Sequence, residues 1–367
     1  MKFAYPSDSR ALATAAHCLV LAPKACFGPR ARGAAGLRKA LGDRADAALA
    51  LGHEGSPGLL GSVVTTRVDG KHRLSVGVLA DGVSRHADAA RSEGIKKCVA
   101  AAGFDGAGHH AVLLVLDDAR HLRAAVNAIG KALPTFSRKS SRKTGGSLAI
   151  VAMLQSGKLL PIDAETRTVV ELARAAADLV DTPPTELDPA GFAAAAKKLL
   201  RGLGAGKVRV TEIVGDALLK KKLGGIHAVG RCAKSAPRLL VAQFAGARGG
   251  KGSHGKGPHI ALVGKGITYD TGGLHIKARG AMETMKADMG GAAAVLGAFA
   301  ALVRHGVPGR LSLLLCMAEN AIGPAAYKPD DVLTMHSGKT VEINNTDAEG
   351  RLLLADGCSY AARVLKA

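Results

Sequence analysis

The stretch from Ile260 to Asp356 constrains this chain more than any other, because short apolar runs alternate in it with glycine-rich turns that carry charged side chains. It reads IALVGKGITYDTGGLHIK, then METMKADMGGAAAVLGAF, then SGKTVEINNTDAEGRLLLAD. Lys265, Asp270, Asp288, Asp347 and Glu349 each stand where a strand is expected to end or a helix to begin. Open α/β sheets place their sites at such strand ends.

Ile260–Val263 reads as an apolar strand, and Gly264 and Gly266 bracket Lys265. The backbone is expected to turn sharply there and present one side chain at the strand's carboxyl end. Asp270 follows in a second glycine-rich turn, and from the residues alone the two make a lysine–aspartate salt bridge. Asp288 precedes an apolar helix, Ala292–Val303, where a carboxylate serves as an N-cap or meets the helix dipole. Leu311–Met317 is a second buried strand. Thr340–Ile343 leads into a turn in which Asp347 and Glu349 read equally as solvated turn acids.

These phrases resemble the leucyl aminopeptidase family of two-metal exopeptidases. VGKGITYDTGG, KADMGGAA and NTDAEGR stand in the family's order, and YDTGGL, AENAIGP and PDDV are similar to its branch of probable aminopeptidase-like proteins. Weaker resemblance runs back to about Leu172, through LVDTPPTELDP and LGGIHAVGR. The resemblance implies that Lys265 is an amine ligand and Asp270 a carboxylate bridging two metals. It makes Asp288 a terminal ligand of the metal that Lys265 also binds, Asp347 a ligand of the first metal, and Glu349 a second bridge. Lysine ligates only when deprotonated, which an adjacent dication favours by penalising the ammonium form.

Four carboxylates around two dications leave such a cluster near neutral, as a hard-ligand site for Zn²⁺ or Mn²⁺, with Co²⁺ and Mg²⁺ as alternatives, would be. By the same resemblance Lys277 polarises the scissile carbonyl and its developing oxyanion, and Arg351 holds a bicarbonate ion acting as general base. The residue-level alternative for both cations is ion pairing with neighbouring acids. The implied activity is a metallo-aminopeptidase acting on peptides with a free amino terminus, in a homo-oligomer that the family makes a hexamer. Family members continue beyond Ala367, so the catalytic domain is expected to lack its carboxyl-terminal part, including a Thr/Gly-rich loop and much of the substrate pocket. A catalytically impaired fragment of the family, or a basic nucleic-acid-binding protein derived from it, is the alternative.

Composition sets the frame around this region. A chain of 367 residues, 47% hydrophobic and without Trp, is long enough for two domains with Ala/Val/Leu cores. Six scattered cysteines without a CxxC pair argue against a zinc ribbon or a disulfide framework and fit a reducing compartment. No signal-peptide pattern opens the chain and no run approaches a transmembrane length, so the expected location is cytoplasmic, with no membrane partner. The net charge of +20 is spread evenly along the chain, which fits general solubility better than a nucleic-acid groove, and nucleic acid is not an expected partner.

Upstream, apolar runs at His17–Ala22, Leu74–Ala80, Ala111–Leu116 and Ser147–Leu154 read as buried strands, alternating with helices at Ala87–Ala102 and Ala119–Leu133. The expected fold is α/β with a smaller amino-terminal domain at 1–161, a connecting helix and linker at 162–187, and a catalytic domain at 188–367 around a central mixed sheet. Thr166–Val180 is the connecting helix, stopped by Pro183-Pro184. Pro189–Leu203 reads as a helix, Val208–Val214 and Arg238–Phe244 as strands. The basic segment 246–258 nearly spells a phosphate loop, but Gly257 stands where Ser or Thr is needed, and it reads as a surface insertion.

Overall fold

The computed structural model describes every residue except 29–30, 32, 58–61, 68–71, 85–87, 142, 205–207 and 247–256. Most of the basic segment 246–258 therefore lies outside the described residues. The chain divides into two compact units, Met1–Arg174 and Ala175–Ala367, and the division falls inside a helix.

The first unit is built on one sheet. Its strands are β1 (Lys2–Ala4), β2 (His17–Pro23), β3 (Ser62–Arg67), β4 (Arg73–Leu79), β5 (His109–Leu116), β6 (Ser147–Leu154) and β7 (Leu159–Leu160), in the order β1-β6-β5-β2-β4-β3 with β7 on β6. The four apolar runs of the sequence are its parallel centre: β2 lies between β4 and β5, and β6 lies beside β5. Strands covered on both faces need unbroken apolar runs, and all seven residues of β2 are buried. Cys18, Val20 and Ala22 face helices α1 (Arg10–Thr14), α2 (Ala34–Leu41) and α3 (Ala45–Glu54), while Leu19 and Leu21 face α4 (Ser92–Ala102) and α5 (Leu122–Ala132). That is the two-residue alternation of a strand. The helix read from Ala87 begins only at Ser92, because Arg91 adopts a left-handed conformation (φ 53°) and its guanidinium donates to Ala80 O and Asp117 Oδ2. The short elements β1, β3, β7 and α1 to α3 went unread, since none is long enough for its periodicity to stand out.

Helix α6 (Ala164–Asp181) contributes Val170 to the first unit's core and continues into the second. It ends at Thr182, whose hydroxyl donates to Asp178 O at 2.7 Å, just before the two prolines. Helix α7 (Pro189–Arg201) starts as the sequence specifies, with Asp188 as N-cap accepting from Gly191 N at 2.7 Å and Pro189 in the first turn. The sheet of the second unit is mixed, in the order β10-β11-β9-β8: β8 (Val208–Val214), β9 (Arg238–Phe244), β10 (His259–Asp270) and β11 (Arg310–Asn320). β10 and β11 are parallel, and the other two pairings are antiparallel. Helices α8 (Ala217–Lys220), α9 (Gly224–Gly230), α10 (Gly290–His305) and α11 (Gly350–Arg363) and a small hairpin, β12 (Val332–Thr334) with β13 (Thr340–Glu342), complete it.

Two readings of the sequence are corrected here. The strand expected to end at Val263 runs on through Lys265 to Asp270, and Gly264 and Gly266 make no turn. They thin the strand instead: a Cβ on Gly264 would lie 2.5 Å from Ala292 Cα, and one on Gly266 2.7 Å from Cys316 O. The absent side chains let α10 lie close against β10 at Gly264 and leave room for the β11 backbone at Gly266. Secondly, Met285–His305 is long and apolar enough by composition to cross a membrane, with mean hydropathy 1.4. Burial of Ala292, Leu296, Phe299, Ala300 and Val303 inside the unit accounts for that character. All six cysteines are free.

Candidate metal centre

The parallel strands β10 and β11 end together, with Asp270 in register with Asn320. The chain then reverses through Thr271-Gly272-Gly273, where both glycines have positive φ (86° and 67°). Space as well as backbone demands glycine here. A Cβ on Gly272 would lie 2.3 Å from His275 O, and one on Gly273 2.9 Å from Thr346 Oγ1. The reversal is tied down by Thr271 Oγ1 donating to Asn320 O (2.7 Å) and by Lys277 N donating to Thr271 O (3.0 Å), so Lys277 comes back over the end of its own strand.

Asp288 sits in a 3₁₀ turn, Met285–Met289, directly ahead of α10. Its neighbour Lys286 anchors that turn by donating to Asp181 O. Asp347 lies in a second 3₁₀ turn, Thr346–Ala348, capped by Asn345, whose Oδ1 accepts from Asp347 N at 2.8 Å. Glu349 immediately precedes α11.

Six of the seven residues singled out in the sequence are thereby joined in one cluster. Lys265 Nζ lies 2.8 Å from both Asp288 Oδ2 and Glu349 Oε1. Lys277 Nζ lies 2.8 Å from Asp270 Oδ2 and 2.5 Å from Asp347 Oδ1. One oxygen each of Asp270, Asp347 and Glu349 fall within 4.8 Å of one another. Gly350 belongs to the same construction, because a Cβ there would lie 2.5 Å from Lys265 Cε.

Burial decides the electrostatics. Glu349 is 1% and Asp270 2% exposed. Burial pushes the Glu349 and Asp288 carboxyls up, against the opposing pull of Lys265. Burial alone would depress the two ammonium groups, but Asp288 and Glu349 hold Lys265 above its ordinary value, and Asp270 and Asp347 hold Lys277 well above it. Despite these charge contacts, both Glu349 oxygens and Asp288 Oδ2 are buried without a hydrogen-bond partner. Asp288 Oδ2 and Glu349 Oε1 meet Lys265 as ion pairs. Orphaned carboxylate oxygens cost stability in a folded chain. A donor set of hard oxygens converging with unfilled lone pairs fits divalent cations.

Arg351, the seventh residue, lies exposed in the first turn of α11. Among the described residues it has no ion-pair or hydrogen-bond partner, so the ion-pairing alternative does not describe it. Lys277, by contrast, is ion-paired with two acids of the cluster.

The sequence reading assigned no part to the residues that hold this cluster in place. Asn320 is fully buried and Tyr327 1% exposed. Tyr327 OH donates to Thr346 O at 2.5 Å, Thr346 Oγ1 donates to Gly272 O at 2.7 Å, and Thr346 N donates to His275 Nδ1 at 3.1 Å. An Asn at a strand end, opposite an acid on the next strand, was the only available signal.

Residues 174–367 match the catalytic domain of the cytosol aminopeptidase family. The chain belongs to that family. It is 44% identical over 248 residues to leucine aminopeptidase 1 of Caenorhabditis elegans, covering 66% of this chain and 47% of that protein. It is 39% identical over 300 residues to the probable aminopeptidase NPEPL1 of Mus musculus, covering 80% and 55% respectively. The chain thus spans about half the length of these relatives. Among solved structures, leucyl aminopeptidase from Leishmania major in complex with actinonin superposes with a TM-score of 0.85 at 32% identity, over 99% of this chain and 70% of that one. Family membership covers the unit that carries the carboxylate cluster, and the structural likeness extends to the α/β unit before it.

Proposed function

We propose that the chain is a two-metal aminopeptidase that hydrolyses the first peptide bond of peptides with a free amino terminus. The observation that carries this reading is the convergence of four carboxylates, Asp270, Asp288, Asp347 and Glu349, with Glu349 Oε2 buried and without a hydrogen-bond partner. Lys265, Asp270, Asp288, Asp347 and Glu349 would hold two divalent cations, Zn²⁺ or Mn²⁺. Such cations would supply Lewis-acid polarisation of the scissile carbonyl and acidify the attacking water.

The chain's own residues do the rest. Lys277 stays protonated across the neutral range because two carboxylates face it, so its charge is available to the oxyanion of the tetrahedral state. Lys265 carries a proton in the metal-free cluster and must release it to act as an amine ligand, which couples cation uptake to proton release. Arg351, which is exposed and has no ion-pair or hydrogen-bond partner among the described residues, would hold a small anion such as bicarbonate as general base. The names of the relatives support peptide substrates and a cytosolic setting, and the family resemblance supports a homohexamer. Nucleic-acid binding has only the net charge in its favour, and it leaves Lys265 and Glu349 without a reason.

The experiment is leucine-amide hydrolysis by metal-stripped protein titrated with Mn²⁺ or Zn²⁺, with bound metal counted in the same samples. Activity is expected to appear as the second ion binds each chain. Hydrolysis that proceeds without metal, or a chain that binds none, overturns the proposal.

A further inference from the structure

Asn320 is the fully buried last residue of β11, and its amide touches two of the segments that carry the carboxylates. Its Nδ2 donates to Asp270 Oδ1 at 2.8 Å and to Thr346 O at 3.0 Å. Both partners are acceptors only, so the amide nitrogen and not the oxygen must lie on that side. Asp270 Oδ1 also accepts from Gly272 N at 2.9 Å. One oxygen of Asp270 is thus held by two N–H donors, which leaves Oδ2 to face Lys277 and the cluster. The second bond of Asn320 fixes the carbonyl of the residue just before Asp347. This one side chain therefore joins the Asp270 carboxylate to the turn bearing Asp347, beside the Thr346 Oγ1 bond to Gly272 O.

We propose that Asn320 is a positioning residue for cation binding: it locks the Asp270 carboxylate in one rotamer and holds the Thr346–Ala348 turn against it. A lone carboxylate at a strand end samples several rotamers, and a cation must then select one of them. Two neutral donors on Oδ1 make that selection in advance while leaving the negative charge in place. Outer hydrogen-bond partners of ligating carboxylates act in this way. The inference rests on the metal reading of the cluster above.

The test is Mn²⁺ titration, by calorimetry, of metal-stripped protein carrying Asn320→Leu, which keeps the volume and removes the donor, or Asn320→Ser, which is too short to reach both acceptors. In both variants at least one of the two ions is expected to bind about 10- to 100-fold more weakly, with both sites still filling at saturation. Tyr327→Phe is the matched comparison, since it removes a buried bond to the same Thr346 carbonyl without touching Asp270. It is expected to change Mn²⁺ affinity by less than about threefold.

Unchanged affinity in a folded Asn320 variant overturns the inference, as does an equal loss in Tyr327→Phe, which would mark general loosening. Failure of both Asn320 variants to fold without metal also overturns it, by making Asn320 a folding residue. If the unmodified chain binds no Mn²⁺, the metal reading falls and this inference with it. Two ions in the unmodified chain and undiminished binding in Asn320→Leu defeat this inference alone.

Discussion

Gly350 provides the space that Lys265 occupies: a Cβ at position 350 would lie 2.5 Å from the lysine Cε and 2.8 Å from its Nζ. Gly350 opens α11, so alanine suits the backbone there and is the better helix former by roughly 1 kcal/mol. The clash falls on the flexible end of a side chain, which can move. Gly350→Ala is therefore expected to push Lys265 from between Asp288 and Glu349 and to destabilise the metal-free chain by up to about 3 kcal/mol, the cost of stranding buried acids. Metal counting should then find the ion that Lys265 serves bound weakly or lost.

Lys265 is also the charge that makes the buried acids tolerable without metal. Removing one partner of a buried pair strands the other and costs about 3 kcal/mol or more. Lys265→Met is expected to destabilise the metal-free chain by that order. Adding Glu349→Gln should recover part of the loss, because the more deeply buried of the two stranded charges disappears while Asp288 remains. Denaturant midpoints of the two single variants and the double variant measure this coupling.

Lys277 and Asp270 separate catalysis from binding. On the proposed mechanism, Lys277→Ala lowers turnover by about 100-fold or more, the usual scale for losing an oxyanion partner, with both ions retained. Asp270→Ala is expected to abolish both metal retention and hydrolysis. Full activity in Asp270→Ala protein would exclude Asp270 as a bridging ligand.

Asp356 performs a purely structural task that ranks with these in severity. Its buried carboxylate accepts from Gly225 N (2.7 Å) and Ile226 N (3.0 Å) at the start of α9, and from His336 N (2.8 Å) beyond the hairpin strand β12. Burial pushes its carboxyl up, and the three amide donors pull it back. Asp356→Ala leaves two buried N–H groups and one part-buried N–H group without their acceptor. The expected loss is about 3 kcal/mol or more, read from chemical denaturation.

His17 makes stability depend on pH. It is buried at the start of β2, with Nε2 2.7 Å from Ser75 Oγ, and burial, helped by the charge of Arg73 and by His110, lowers its pKa to about 4 from an ordinary 6.5. The folded chain keeps His17 neutral where the unfolded chain already takes up a proton. Its contribution is therefore complete above pH 6.5 and is lost as pH falls towards 4. His17→Gln is expected to reduce the slope of unfolding free energy against pH across that window. An unchanged slope would show that other groups carry the acid sensitivity.

The sequence by itself determined a great deal here. Unbroken apolar runs such as Leu19 to Ala22 announced strands of a covered parallel sheet, since only a strand buried on both faces tolerates them. Pro183 and Pro184 marked the end of α6, and the helix read from Pro189 starts there, because prolines act through local backbone geometry. The resemblance of three motifs to the leucyl aminopeptidase family brought Lys265, Asp270, Lys277, Asp288, Asp347, Glu349 and Arg351 under suspicion as one group. Tertiary structure decided what those residues meet. Gly264 and Gly266 looked like turn residues around Lys265, yet they lie within β10, where the close approach of α10 requires the first and the backbone of β11 the second. Asn320, Thr346 and Tyr327 carried no local signal, because their partners lie 19 to 74 residues away in the chain. Local chemistry is written in neighbouring residues; the geometry of a site assembled from two strand ends and two helix starts exists only once the sheet has brought them together.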